Sequence, residues 1–138
     1  MCKKIALCLI CVLVLSLTIF TNKTPIFKGY ANNFELYLNS PSSLANIVSA
    51  NSFSYAKYKN ICGESFNVDK NEFDLQKFLS DFCASLIYTE ELEHGVSYYL
   101  YSKKIKYRTT LFGSVINLHV FVSNSSITVG SPLILGSF

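Results

Sequence analysis

Apolar and polar positions alternate in different ways along this chain, and each pattern predicts an element. From Ile5 to Phe20 every residue is apolar except Ser16 and Thr18, with no periodicity. Further on, Phe34, Leu36 and Leu38 alternate with Glu35 and Tyr37, which predicts a short strand or the start of an amphipathic segment. Asn39-Ser40-Pro41-Ser42-Ser43 interrupts it, and the serine pair suits the cap of a short helix over Leu44 to Ser49. Asn51 to Phe66 reads as a strand bent at Gly63. Its alternation changes phase between Tyr55 and Tyr58, as at a β-bulge. Asp69 and Glu72 stand three apart in the form of a capping box, with Asp in place of Ser or Thr. Leu75, Phe78, Leu79, Phe82, Cys83 and Leu86 then keep the three-four spacing of one helical face, with Gln76, Lys77, Ser80, Asp81 and Ser85 opposite. This predicts an amphipathic helix ending between Tyr88 and Glu93.

The last third, Val96 to Phe138, carries strand patterns. Val96 to Ser102 is β-branched and aromatic. Lys103-Lys104-Ile105-Lys106-Tyr107-Arg108 is a basic arm or loop, followed by Thr109, Thr110 and Gly113. Val115 to Ser123 is a second strand, Asn124-Ser125-Ser126 a turn, and Ile127 to Val129 a third strand. Pro132 has no amide hydrogen to give a ladder, so it ends that strand or marks a bulge or edge. A helix with one apolar face needs a sheet to cover, and sequential strands with short turns favour antiparallel pairing. The expectation is an α+β fold, with one amphipathic helix on a small antiparallel sheet.

Asn117-Leu118-His119-Val120-Phe121-Val122, a polar turn, then Thr128-Val129-Gly130-Ser131-Pro132-Leu133-Ile134 resembles the close of the YwmB family, exported proteins of spore-forming Firmicutes. The likeness extends loosely upstream and covers roughly residues 60–138. It implies half of a TATA-box-binding-protein-like fold, a structural name that carries no expectation of DNA binding. The family implies no biochemical activity. The half-length match leaves room for a homodimer in which a second copy completes the fold.

The apolar run fixes the address. Lys3 and Lys4 precede 16 residues, about 24 Å as a helix against ~30 Å of hydrocarbon. That is the length of a signal-peptide core, with the N-terminus on the cytoplasmic side. Ile19-Phe20-Thr21-Asn22-Lys23 is a poor cleavage site, so residues 1–20 read as a signal peptide or a retained signal anchor. Residues 21–30 read as a linker, and residues 31–138 as a small domain outside the cytoplasm, membrane-anchored or secreted. Cys2, Cys8 and Cys11 belong to the targeting segment. Cys62 and Cys83 remain, either as a disulfide closing a loop or as two buried thiols.

Charge and side-chain chemistry narrow the function. The chain carries +3. Setting aside Lys3 and Lys4 leaves 10 basic and 9 acidic residues, which is no nucleic-acid footprint. His94 and His119 lack second ligands at metal spacing, and no phosphate loop or nucleophile elbow occurs. Glu90, Glu91 and Glu93 read as a solvated turn, and Asn117 as a structural polar residue in an apolar strand. Tyr99 and Tyr101 share one strand face and, with Lys103, Lys104, Lys106 and Arg108, form the candidate binding surface, suited to a protein, a wall polymer or an anionic lipid surface. The expected protein is a non-catalytic YwmB-like envelope component held to the membrane by its N-terminal segment, without a cofactor or nucleic-acid partner. The alternative is an envelope enzyme with a site of unfamiliar pattern.

Overall fold

The computed structural model describes residues 23–136. The elements run β1 (Asn33–Leu38), β2 (Asn46–Asn51), a 3-10 turn (Tyr55–Lys57), β3 (Ile61–Asp69), α1 (Leu75–Asp81), β4 (Ser85–Leu92) and β5 (Gly95–Tyr101). They continue with β6 (Thr109–Leu111), β7 (Ser114–Ile116), β8 (Leu118–Ser123) and β9 (Ser126–Ser131). Seven strands form one sheet in the order β2-β1-β3-β9-β8-β5-β4, and β6 and β7 form a separate two-stranded arm. Every strand pair is antiparallel. Within the large sheet β3 and β9 join an N-terminal group of strands to a C-terminal one. Among the described residues no helix is long and apolar enough to cross a membrane. The segment of residues 1–20 lies outside them.

The fold is predominantly β, with 49% of the described residues in strands and 9% helical, which corrects the α+β expectation of a helix on a small sheet. The discrepancy centres on α1, which has seven residues. Its spacing carries on through Leu86, but Cys83 adopts a left-handed φ of 48°. Its amide bonds Ser80 O at 2.9 Å, and the Ala84 amide bonds Leu79 O at 3.0 Å. Those two bonds are a Schellman closure, normally built on glycine. The following Leu86-Ile87-Tyr88-Thr89 is β-branched and aromatic, and pairs with β5 instead. The cap also lies elsewhere. The Asp74 side chain accepts from the Lys77 amide at 2.9 Å, while Asp69 closes a turn on the Asn71 and Glu72 amides.

Two other expectations change. Leu44 to Ser49 is no helix, since Asn46–Asn51 is an edge strand. Asn51 to Phe66 is broken where the Asn51 carboxamide accepts from the Phe53 and Ser54 amides, turning the chain into the 3-10 turn. The bulge sits later, opposite Tyr37 and Leu38 of β1.

Alternation places the core on one face of the sheet. Phe34, Leu36, Phe66, Ile127, Val129, Leu118, Val120 and Leu100 meet Phe78 of α1 there. Phe78 is fully buried and touches Phe27, Tyr30, Phe66, Phe73 and Phe82. Phe27 comes from the stretch whose proline and lysines suggest a linker, and it is fully buried in this cluster. Glu64, also fully buried, holds it, accepting from the Phe27 amide at 3.0 Å and from the Tyr55 hydroxyl at 2.8 Å.

Candidate binding face

The sheet face turned away from α1 carries a different set of side chains. Register aligns Ser49, Glu35, Ser65, Gly130, His119, Tyr99 and Tyr88 in one row across all seven strands. A second row runs Asn67, Thr128, Phe121, Ser97 and Glu90. After the cis Ser131–Pro132 bond the chain crosses this face. Leu135 donates its amide to the Tyr37 hydroxyl at 3.0 Å, and Ile134 to His119 Nδ1 at 3.2 Å. Gly130 permits the crossing, because a Cβ there would lie 2.8 Å from Leu133 O and 2.9 Å from Ile134. That is closer than a side chain tolerates.

The crossing divides the face in two. On the β4 side it buries His119. Its Nδ1 accepts, so the proton sits on Nε2, which faces Ser97 Oγ at 3.2 Å. The imidazole stacks on Tyr99 with centroids 4.5 Å apart. Burial lowers its pKa from 6.5 to about 4, so it is neutral at pH 7. Tyr99 donates to Glu90 at 2.9 Å. Burial, then the Glu90 carboxylate, raises the pKa of this phenol. Each polar group here is engaged with a neighbour in the fold.

On the other side of the crossing lies a groove of about 340 Å³, lined by Asn33, Glu35, Ser49, Ser65, Asn67 and Thr128 and bounded by Ile134 and Gly136. Phe34, Phe66 and Ile134 also line it, and its polar side chains are hydroxyls and amides with one exposed carboxylate, Glu35. Asn67 already donates to Thr128 Oγ1 at 2.7 Å, which orients both side chains. Such a wall offers short-range hydrogen bonds of both senses to a polar ligand. Alternation marks Glu35, Ser65, Asn67 and Thr128 as one face of their strands. Which of them stand side by side depends on strand register and on the bulge in β3.

The predicted surface residues do not converge. Tyr99 is buried, and Tyr101 is half-buried on the same strand. The exposed aromatics beside Tyr99 are Tyr88 and Phe112, with ring centroids 5.3 Å apart. Lys103 is exposed, and Lys104 Nζ donates to Asp81 O at the end of α1. Lys106 turns to another side, with Nζ 4.7 Å from the Tyr107 ring centroid. Arg108 is exposed between them and the β6–β7 arm. Cys62 on β3 and Cys83 after α1 are free thiols. Asn117 is the anchor of the whole 103–116 stretch. It accepts from the Ser102 amide at 2.7 Å and donates to Ser102 O and Ile105 O at 2.6 and 2.9 Å. No cluster of three metal-ligating side chains occurs among the described residues. Comparison with family models, curated proteins and solved structures finds no match to this chain.

Proposed function

We propose that the protein is a non-catalytic binding component of the cell envelope, exported or anchored by its N-terminal segment, that takes a hydroxyl- and amide-rich polymer in the groove beside β1. The observation that carries this is the groove wall. Asn33, Ser49, Ser65, Asn67 and Thr128 bring neutral donors and acceptors together from four adjacent strands, with Glu35 at the rim. A rigid sheet presents them with little ordering cost. The export reading rests on the dilysine and the 16-residue apolar run. The likeness to the YwmB family, whose members are exported, accords with it.

Two measurements test this. Fractionation with intact-mass analysis should find the chain in the membrane or outside the cytoplasm. Purified full-length protein should co-sediment with insoluble envelope polymer. Ser49→Trp, at an exposed position, should fill the groove and abolish co-sedimentation while leaving the unfolding curve unchanged. Undiminished co-sedimentation of that variant would remove the groove from the account.

A further inference from the structure

We infer that a second recess, between the 3-10 turn and the basic loop, holds the phosphate headgroup of an anionic lipid in the bilayer to which the chain is tethered. This rests on the anchored form of the reading above. The recess has a volume of about 270 Å³ and is lined by Lys23, Thr24, Tyr55, Asn60, Ile61, Lys106 and Tyr107. Two ammonium groups face it, and none of its lining residues is acidic. Lys57 at the end of the 3-10 turn and Lys59 just beyond it are exposed.

Covalent geometry sets its height above the membrane. Lys23 lines the recess, and the apolar run ends at Phe20, three residues earlier. Three residues reach at most ~10 Å, so in an anchored chain the recess lies at the headgroup layer. Its composition suits that layer. Tyr107, half-buried at its wall, has an apolar ring and a polar tip, the kind of side chain that concentrates at membrane interfaces, while Tyr55 is buried with its hydroxyl turned to Glu64. Lys106 Nζ lies over the ring of Tyr107, which lines the recess with it. Glu64 stands behind Tyr55 and accepts its hydroxyl proton. The tyrosine is thereby fixed, and the carboxylate behind it attracts the Lys106 ammonium. A headgroup phosphate would meet Lys23 Nζ, Lys106 Nζ and the Thr24 hydroxyl, and its glycerol would rest against the Tyr107 ring. Each lysine held near an anionic surface is worth about fivefold in association.

Amine-labelling mass spectrometry of the full chain in nanodiscs tests this. Modification rates of Lys23 and Lys106 are compared in zwitterionic discs and in discs containing phosphatidylglycerol, with Lys70 at the far end of β3 as internal control. The expected result is severalfold slower labelling of Lys23 and Lys106 in anionic discs, with Lys70 unchanged. Lys23→Gln should return Lys106 to the rate seen in zwitterionic discs. Equal rates in the two discs would overturn the inference. Equal protection by inorganic phosphate added to zwitterionic discs would also overturn it, as an anion site without lipid specificity. Intact mass of the cell-derived chain separates the two levels, because a processed, soluble chain refutes the anchor itself.

Discussion

Acidification should destabilise this protein through His119, and the effect can be worked out from its surroundings. The imidazole is buried under the C-terminal crossing, with Nδ1 accepting from Ile134 and the ring stacked on Tyr99. Its folded pKa is about 4 against 6.5 in the unfolded chain. The unfolded state therefore binds the extra proton first as pH falls. Stability is fully present above pH 6.5 and is lost progressively down to pH 4. At 1.36 kcal/mol per pKa unit, the loss is about 2 kcal/mol by pH 5 and ~3 kcal/mol near pH 4. Glu64 acts in the opposite sense, because burial raises its pKa and protonation relieves the folded state. A comparison with His119→Gln isolates the histidine, since all other groups are common to both proteins. The Gln carbonyl can still accept from the Ile134 amide. The variant should lose ~0.5–1.5 kcal/mol at pH 7 with the ring stack, and its further loss from pH 7 to pH 5 should be smaller than that of the parent by about 2 kcal/mol. Chemical denaturation followed by far-UV circular dichroism at the two pH values gives both numbers. Parallel losses in parent and variant would refute the neutral, buried imidazole.

Other substitutions probe the scaffold. Asn117→Leu strips the side-chain partner from Ser102 N and Ile105 O, while Ser102 O keeps the Ile105 amide at 3.3 Å, and should cost ~2–5 kcal/mol at ~1–3 per buried unsatisfied group, measured by chemical denaturation. Phe78→Ala removes the fully buried hub of the aromatic cluster and should cost ~3–5 kcal/mol in the same assay. Gly63→Ala would set a Cβ 2.3 Å from Ser131 O and 2.7 Å from Tyr37; a loss of ~2 kcal/mol or more in thermal unfolding is expected, and a neutral result would mean the β3–β9 contact is looser than it stands.

Local chemistry made much of the C-terminal half legible. Val96 to Ser102, the loop of Lys103 to Arg108 and the stop at Pro132 follow from residue types that act within a few positions. Asn117 splits the predicted strand Val115 to Ser123 into β7 and β8, because its side chain serves a neighbouring loop. The main loss came from α1. Leu86 falls on the helical spacing by coincidence, and nothing in the sequence distinguishes a cysteine that will take φ of 48° from one that will not. β2 was hidden for a related reason: Asn46–Asn51 has few strong strand formers and is held by its pairing to β1. Tyr99 reads as surface because its burial comes from His119 and the crossing, about 20 and 35 residues away, a distance over which pattern carries little information. The groove is a product of register, which alternation leaves open.

The place of β9 between β3 and β8 has a consequence for biosynthesis. Until Ser126–Ser131 is delivered, β2-β1-β3 and β4-β5-β8 are two half-sheets with no shared strand. The contacts that join them pair positions as far apart as Glu64 and Ser131, so loop closure delays them to the end of synthesis. Under the export proposed above, this order would keep the chain open for a translocation pore, since its sheet cannot close while its last strand is still on the cytoplasmic side. The same delay leaves inner strand edges bare for a time, and a holding chaperone would then have two apolar half-sheets to cover.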